Sequence, residues 1–519
     1  MWVYPEIRTL GDIPVYYKRH DPERLAFTFE GASLSWAAVD EIVNRVAHGF
    51  LAKGIKTGDR ILYFGKNSLN YYYALFAAAK IGAIFVPLNW RLAGPEIGPI
   101  VADCEPALAL VEADFLPTWR DITSEGKLES ITVELTHGRS LEEWSGAHAV
   151  RAPHIEVRFD DAVILLYTSG TTGNPKGVIH TNASLNHSRL SEHLELAFNW
   201  LDGDCFLNAL PNFHLLSVSL SLQCLYNGVA IAIVKQFDPA AVLASIARDK
   251  ASLLVLTPTM IQMLLDHPDS TKTNFSSLRL TMYAGSPISL GLIKRAIGVM
   301  PCEFMQFYGQ TETSGPVSLL RPDEHNLEDE QKLKSCGRPL PLISMKVVDC
   351  AGNELPPNQP GELLVRAAAA SAGYWKQQYE TIARFRDGWY HTGDVAYRDD
   401  EGLFYIHDRV KDMIVSGGEN IYSVEVENAV SLHPAVAAVA VIGVPDPRWG
   451  EAVKALVIRR EGNECTEADI IEFCRTRLAA YKVPKSVDFL IEFPMTGTGK
   501  VSKKLLSAPF WQGLERRVN

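Results

Sequence analysis

A stretch rich in glycine and hydroxyl side chains surrounds a single lysine between Tyr167 and Val178. Glycine lets backbone N–H groups approach an anion closely, and hydroxyl groups and a lysine ammonium can donate hydrogen bonds to phosphate oxygens. The Walker A pattern is not met, because Pro175 precedes Lys176 and Gly177 follows it. We therefore predict a phosphate-binding loop unlike that of the P-loop NTPases. Its candidate contacts are Thr168, Ser169, Gly170, Thr171, Thr172, Gly173 and Lys176.

Two carboxylates further along the chain suit other parts of a nucleotide and its metal. Glu312 lies beside Thr311, and Mg²⁺ prefers oxygen ligands, commonly one or two protein groups plus nucleotide phosphates. Asp394 follows a glycine, and its two carboxylate oxygens can accept hydrogen bonds from two ribose hydroxyls. Gly285 follows a predicted strand, Leu278 to Tyr283, and permits a flat ligand to approach the backbone closely.

Lys500 follows a glycine-rich turn, Gly497 to Gly499, near the end of the sequence. A flexible loop of this kind can deliver a cation to a phosphate under attack and stabilise the charge that develops there. A solvated surface lysine is the alternative, and the residues alone leave it open.

The elements that must position these residues alternate between strand and helix. An apolar run, Ala162 to Leu166, leads into the lysine-containing loop, and the alternation recurs further along the chain. The segments that show it are Val229 to Val234 (strand), Pro239 to Arg248 (helix), Ser252 to Thr257 (strand) and Met260 to Asp266 (helix). This pattern predicts an α/β fold with a parallel sheet and crossover helices. After about Asp349 the segments shorten and are broken by glycine, proline and aspartate, which predicts a β-rich subdomain. Beyond Arg409, amphipathic helices and apolar strands predict a separate small α+β domain.

Composition and charge exclude several classes of protein. The 519 residues carry 50 basic against 61 acidic side chains, a formal charge of −11, and no long basic run, so a nucleic acid is not an expected partner. The apolar stretch Ala74 to Leu88 contains Lys80 and is shorter than the ~20 residues that span a bilayer, which predicts a buried helix and strand and no integral membrane span. Eight scattered cysteines lack metal-ligand spacing and predict reduced thiols. The N-terminus shows no secretory signal, so a cytoplasmic location is expected; a homodimer is left open.

Five groups of motifs together resemble the adenylate-forming superfamily, which includes acyl-CoA synthetases, luciferases and the adenylation domains of peptide synthetases. They are Tyr167 to Val178, Tyr308 to Glu312, Trp389 to Asp394, Asp408 to Asp412 with Gly417 to Asn420, and Gly497 to Lys500. Their order and spacing agree with the family from about Phe27 to Lys504. The resemblance, strongest to AMP-forming acid:CoA ligases of the fatty-acid or aryl-acid type, implies a large AMP-binding domain of stacked αβ subdomains with a β-rich subdomain, residues 1–410. It also implies a small mobile domain, residues 411–519, that carries the catalytic lysine.

The resemblance assigns roles at the nucleotide site. Glu312 is implied to bind Mg²⁺, Thr311 to contact phosphate and Tyr308 to stack on adenine. Asp394 is implied to bind the ribose, and Arg409 to contact the nucleotide. The remaining implied nucleotide contacts are Gly285, Ser286, Pro287 and Gly309, and the implied catalytic residues are Thr311, Glu312, His214 and Lys500.

The acid and thiol sites are implied in the same way. His214 matches an acyl-pocket histidine that orients the substrate carboxylate or gates its entry, and Lys411 matches the hinge about which the small domain rotates. The implied CoA-binding residues are Gly417, Gly418 and Trp449, and the implied acyl pocket is formed by Phe213, His214, Gly285, Phe307 and Gly315. Leu342 stands where the family usually has glycine.

The expected function is therefore an ATP-dependent, AMP-forming acid:CoA ligase with Mg²⁺ as cofactor and ATP and CoA as co-substrates. The mostly apolar pocket residues favour a medium- or long-chain fatty, aryl or polycyclic acid. Phe213 to Leu216 offers no carboxylate to pair an amino-acid ammonium, which disfavours a peptide-synthetase substrate. A non-CoA acceptor, either a carrier protein or oxygen, stays an alternative, as does a non-catalytic nucleotide-binding regulator.

Overall fold

The computed structural model describes residues 6–123, 131–169, 175–409, 412–416, 419–495 and 501–512. Strands in these residues form four sheets. In chain order they are β1 (Leu25–Phe29), β2 (Ala32–Ser35), β3 (Arg60–Phe64), β4 (Ile84–Pro87), β5 (Leu108–Glu112), β6 (Ile131–Leu135), β7 (Ala162–Ser169), β8 (Pro175–Thr181), β9 (Cys205–Asn208), β10 (Ala230–Ile233), β11 (Leu253–Leu256), β12 (Leu280–Tyr283), β13 (Glu303–Tyr308), β14 (Ser318–Leu320), β15 (Arg338–Pro339), β16 (Ser344–Val348), β17 (Gly361–Arg366), β18 (Phe385–Arg386), β19 (Trp389–Arg398), β20 (Phe404–Arg409), β21 (Ile414–Ser416), β22 (Glu419–Ile421), β23 (Val436–Asp446), β24 (Gly450–Arg459) and β25 (Ser486–Phe489).

Helices connect these strands and cover the sheets. They are α1 (Asp12–His20), α2 (Trp36–Ala52), α3 (Leu69–Lys80), α4 (Gly94–Cys104), α5 (Leu116–Thr123), α6 (Ser140–Trp144), α7 (Asn182–His193), α8 (Leu215–Tyr226), α9 (Pro239–Arg248), α10 (Pro258–Asp266), α11 (Leu290–Val299), α12 (Gln378–Arg384), α13 (Ser423–Ser431), α14 (Glu467–Arg475) and α15 (Lys503–Ser507). None in the described ranges is both long and apolar enough to cross a bilayer.

Two mostly parallel sheets form the body of the protein. One has the strand order β6-β5-β3-β4-β7-β8, and the other has the order β15-β14-β13-β12-β11-β9-β10-β1-β2. Every residue of α3 is buried, and one apolar core joins α3, α8 and strands of both sheets. The prediction of an α/β fold is confirmed, and Ala74 to Leu88 is the buried helix and strand that the sequence predicted.

The segment after β15 forms a smaller antiparallel sheet with the order β16-β17-β19-β18, to which β20 is added at β19. Its strands pack around their own apolar cluster, which includes Met345, Leu363 and Phe404. The predicted β-rich subdomain is therefore present, and Asp394 lies on β19.

The last sheet has the order β22-β21-β24-β23 with β25 beside β24. Helices α13 and α14 cover it, and its core of Ile414, Val426, Val453 and Ile470 is separate from the core of the body. A small α+β unit is thus present after β20. The predicted boundary between residues 410 and 411 lies outside the described residues and stays a prediction. All eight cysteines are free thiols, and most are buried.

Leu342 adopts a left-handed backbone conformation, with φ of 65°. Its side chain is 64% exposed, so little packing compensates for the strain. An L-residue with a β-carbon costs about 1–2 kcal/mol in this conformation, so glycine would be less strained at this position.

We expect Leu342→Gly to raise the free energy of unfolding by about 0.5–1 kcal/mol, because relief of the strain outweighs the added entropy of the unfolded chain. Denaturant unfolding of the two proteins measures the change. Leu327→Gly, at an exposed leucine outside the left-handed positions, is the control and is expected to lower stability. A loss of stability in both variants would contradict the assignment of strain to Leu342.

Candidate active site

A cleft of about 3160 Å³ lies between the carboxyl ends of the body strands, the β-rich sheet and the small unit that follows β20. Side chains that are far apart in the sequence line it together. Of the residues predicted for the site, those that line the cleft are Thr168, Lys176, Phe213, His214, Gly285, Ser286, Pro287, Phe307, Tyr308, Gly309, Thr311, Glu312, Gly315 and Asp394.

The other predicted site residues either lie away from the cleft or are not fully described by the structure. Trp449 lies on the turn between β23 and β24, 42% exposed, with the Arg448 guanidinium 4.6 Å from its ring centroid. Ser169 and Arg409 are described by their backbone alone. Those that lie outside the described residues are Gly170, Thr171, Thr172, Gly173, Lys411, Gly417, Gly418 and Lys500; their roles stay predictions.

Glu312 is held in a short 3₁₀ turn, Thr311–Thr313, directly after β13. Its Oε1 accepts a hydrogen bond of 2.9 Å from the Tyr374 hydroxyl, and its carbonyl accepts one of 2.8 Å from the Ser371 amide. Burial raises the pKa of Tyr374, so the phenol keeps its proton and stays a donor. The Glu312 carboxylate is therefore oriented before any ligand binds.

Gly309, which precedes this turn, lies too close to a neighbouring segment to carry a side chain. A β-carbon there would lie 2.5 Å from the Gly315 carbonyl oxygen, too close for any side chain. The Thr313 hydroxyl also closes the loop, since it accepts from the Gln310 amide at 3.0 Å and donates to the Gly315 carbonyl at 2.8 Å. The loop that presents Thr311 and Glu312 is thus compact and internally bonded.

Asp394 lies at the edge of the cleft, 5% exposed. Its Oδ2 accepts hydrogen bonds from the Tyr308 hydroxyl at 2.6 Å and from Gln310 Nε2 at 2.7 Å. Gln310 is oriented in turn, because its Oε1 accepts from the Tyr390 hydroxyl at 2.6 Å. Burial, with the neighbouring Asp394 charge, raises the pKa of Tyr308 well above its usual range. This network fixes the carboxylate beside the tyrosine ring.

Lys176, which the sequence predicts as a phosphate ligand, is 7% exposed and already has a partner. Its Nζ lies 2.5 Å from Glu380 Oε1 on α12 and 5.5 Å from the centroid of the Tyr374 ring. Sequence reasoning missed Glu380 and Tyr374. The two lie about 200 positions from the lysine, and no spacing rule connects them to it.

The apolar part of the cleft surrounds Phe213 and His214, the residue that precedes α8. Phe307 stacks on Phe198 with ring centroids 5.5 Å apart. A β-carbon at Gly315 would lie 2.1 Å from the Ser188 hydroxyl, so α7 packs directly behind this glycine. Further apolar side chains that line the cleft include Leu216, Leu220, Met263, Ile288, Leu290 and Leu292. Met263, Ile288, Leu290 and Leu292 were not predicted for the pocket.

The donor set at the Glu312 loop fits Mg²⁺ held chiefly by a nucleotide. Glu312 supplies one oriented carboxylate and Thr311 one hydroxyl, both at the cleft. The described residues contain no group of three histidine, cysteine or acidic side chains able to hold a metal by themselves. A hard cation with one or two protein ligands and phosphate oxygens matches this arrangement.

His180 contacts the loop that carries Glu312. It lies on β8, fully buried, with Nδ1 2.9 Å from the Ser314 hydroxyl. Burial lowers the pKa of His180 from 6.5 to about 3. The folded protein therefore keeps this imidazole neutral over a range in which the unfolded chain protonates it.

We expect this difference to weaken the fold in acid. Below about pH 6.5 the unfolded state binds a proton that the folded state excludes until about pH 3, so between pH 7.5 and 5.0 His180 should cost about 2 kcal/mol of stability. His180→Asn keeps a hydrogen-bonding group near the Nδ1 position but does not titrate, and it should remove that part of the loss. Denaturant unfolding at both pH values measures it, with the exposed His154→Asn as control. Equal pH dependence of wild type and His180→Asn would contradict the assignment.

The architecture and the cleft define an adenylate-forming enzyme. The ATP-bound structure of MatB from Rhodopseudomonas palustris superimposes with a TM-score of 0.88 at 28% sequence identity, covering 96% of this chain and 99% of that one. The chain belongs to the AMP-binding enzyme family: residues 17–375 match the AMP-binding enzyme profile, and residues 425–500 match the AMP-binding enzyme C-terminal domain. The family resemblance found in the sequence is confirmed.

Relatives of known activity differ in acid and in acceptor. A fatty acid–acyl-carrier-protein ligase, ScoC, from Streptomyces coeruleorubidus is 34% identical over 99% of both chains. A feruloyl-CoA synthase from an Amycolatopsis species is 36% identical over 95% of this chain and 97% of its own. The chain is thus a ligase of the family that joins carboxylic acids to thiols.

Proposed function

We propose that this protein is an ATP-dependent acid:CoA ligase that activates an apolar carboxylic acid as an acyl-adenylate and then forms the acyl-CoA thioester. The observation that carries the proposal is that two features share one cleft. The oriented carboxylates of Glu312 and Asp394 lie there next to a pocket of apolar side chains around Phe213. A nucleotide and an apolar acid can be held there side by side.

The first half-reaction replaces a poor leaving group. The acid carboxylate attacks the α-phosphorus of ATP, an oxygen–phosphorus bond forms, and the bond to pyrophosphate breaks. Asp394, fixed by Tyr308 and Gln310, is placed to accept hydrogen bonds from the ribose hydroxyls. Thr311 can donate to a phosphate oxygen, and His214 can orient the incoming carboxylate. Mg²⁺, held by Glu312, would neutralise charge on the phosphates.

The second half-reaction releases AMP. The CoA thiol loses its proton and attacks the acyl carbon, a sulfur–carbon bond forms, and the bond to AMP breaks. We assign this step to a second arrangement of residues 411–519, reached by rotation about Lys411, with Gly417, Gly418 and Trp449 on the CoA path. The exposure of Trp449 leaves its ring available to an adenine.

The acid is proposed to be apolar and larger than acetate. The lining of Leu216, Leu220, Met263, Ile288 and Leu292 offers apolar contacts to a chain or a ring. These contacts favour medium- or long-chain fatty acids and aryl or polycyclic acids.

A carrier-protein thiol is the second candidate acceptor. It is favoured by the ScoC ligase, which matches this chain over its full length. CoA and an acyl-carrier protein both present a phosphopantetheine thiol, so the adenylation half-reaction is the same for either.

The test is AMP release by the purified protein with ATP, Mg²⁺ and a panel of fatty and aryl acids, with CoA, with phosphopantetheinylated carrier protein and with neither thiol. We expect acid-dependent AMP release that CoA accelerates, together with an acyl-CoA product seen by mass spectrometry. Acceleration by the carrier protein alone would reassign the acceptor. Acid-dependent pyrophosphate exchange that no thiol converts to product would overturn the ligase assignment.

A further inference from the structure

The lysine that should contact ATP phosphates is paired with a carboxylate. Lys176 and Glu380 approach to 2.5 Å at the wall of the cleft. The neighbouring Lys176 ammonium lowers the pKa of Glu380, so the carboxylate is charged at neutral pH. A phosphate oxygen and the Glu380 carboxylate therefore compete for the same ammonium group.

Glu380 has a second cation within reach. Arg384 lies one helical turn further along α12, with Nε 3.6 Å from Glu380 Oε1. Arg384 also donates a hydrogen bond of 3.3 Å to the carbonyl of His391 on β19. The guanidinium is thus held between α12 and the strand that carries Asp394, and both Glu380 and Arg384 line the cleft.

We propose that Glu380 is a counter-ion that ATP displaces: the nucleotide takes Lys176, and Glu380 passes to Arg384. The proposal rests on the proposed use of ATP at this cleft. Without ATP, the pair with Lys176 neutralises a poorly solvated ammonium, whose isolation would be costly. With ATP bound, the pair with Arg384 keeps the released carboxylate neutralised. Glu380 would therefore act as a positioning residue. It would set the affinity of the cleft for the phosphates of ATP and would not change the affinity for the nucleoside.

The first test is ATP binding to the full-length protein, measured by calorimetry without any acid. Glu380→Gln keeps the size of the side chain but removes the competing charge, so the Kd for ATP should fall by roughly three- to tenfold. The Kd for adenosine, which has no phosphate, should not change. Glu472→Gln is the matched control, because Glu472 pairs with Arg475 on the exposed face of α14 and does not line the cleft.

The second test uses Arg384→Met, which removes the alternative partner. Glu380 should then stay with Lys176, and the Kd for ATP should rise by roughly three- to tenfold. Arg384→Met made in the Glu380→Gln background should have no further effect on the Kd for ATP, because residue 380 then carries no charge that needs a cationic partner. This non-additivity is the signature of a shared partner.

Three results would overturn the proposal. They are weaker ATP binding by Glu380→Gln, parallel changes for ATP and adenosine, and additive effects of the two substitutions. Weaker ATP binding would mean that Glu380 only holds Lys176 in place. Parallel changes for ATP and adenosine would mean that Glu380 only supports the fold. Failure of the wild-type protein to bind ATP would overturn the proposed function itself, and with it this inference. ATP binding without any acid activation would contradict the ligase assignment alone.

Discussion

Replacing Glu312 by glutamine is expected to reduce acid-dependent ATP–pyrophosphate exchange by about 10²–10³-fold, the size of effect seen when one preorganised electrostatic contact to a transition state is lost. Glutamine has the same shape and can still accept from Tyr374. It lacks the charge that makes a carboxylate a good ligand for Mg²⁺. The exchange rate, measured over a range of Mg²⁺ concentrations, should recover partly at high metal concentration.

Tyr374→Phe is the matched control for this prediction. It leaves the Glu312 charge in place and removes only the hydrogen bond that orients it. A neutral-to-charged hydrogen bond contributes about 1.5–3 kcal/mol, so the loss of exchange should be smaller than in Glu312→Gln. A Glu312→Gln protein with wild-type exchange and an unchanged Mg²⁺ requirement would remove Glu312 from the proposed metal site.

Lys500→Ala is expected to separate the two half-reactions. A cation delivered to the α-phosphate stabilises charge only while pyrophosphate leaves, so acyl-adenylate formation should fall by about 10²–10³-fold. Thioester formation from chemically prepared acyl-adenylate and CoA should continue near the wild-type rate, because no phosphate is attacked in that step. Single-turnover measurements of both steps on one variant provide the comparison.

Lys485→Ala is the control for Lys500→Ala, since it removes an exposed lysine of the same small unit that does not line the cleft. Both half-reactions should persist in that variant. Equal losses of the two steps in Lys500→Ala would show that the lysine serves the second arrangement as well, and the division of labour would have to be abandoned.

The sequence was sufficient for the parts of this molecule that depend on local rules. Pro239–Arg248 was predicted with its bounds unchanged, because an aspartate cap and a proline at the first turn mark its start. Most other bounds differed by a few residues, as at β10 and β12, since strand ends depend on the neighbours with which they pair. The alternation of strands and helices was enough to identify the body as α/β.

The same distinction between local patterns and long-range contacts applies to the candidate site. Short motifs carry Glu312 and Asp394 within strings of a few residues, so their place at one cleft could be expected. The Tyr374 hydroxyl that orients Glu312 and the Glu380 carboxylate that pairs with Lys176 could not be expected. Both residues reach the cleft through the pairing of distant segments. Residue 374 forms a β-bridge with Val178, and that contact depends on the packing of the complete body. Met263 and Leu292 likewise become pocket walls only when α10 and α11 pack against each other.

The position of β1 at the far side of the nine-stranded sheet has a consequence for how the chain is made. Phe27 pairs with Ile231, about two hundred residues later, and β2 in turn depends on β1. During synthesis the first strand must wait until β10 has left the ribosome, which makes its contacts strongly non-local and slow to form. Trimming the N-terminus up to Ser35 would expose the edge of β10, a buried strand of the sequence Ala-Ile-Ala-Ile. Such an apolar edge is a template for aggregation, so expression of shortened forms should yield insoluble protein even though every residue of the cleft is retained.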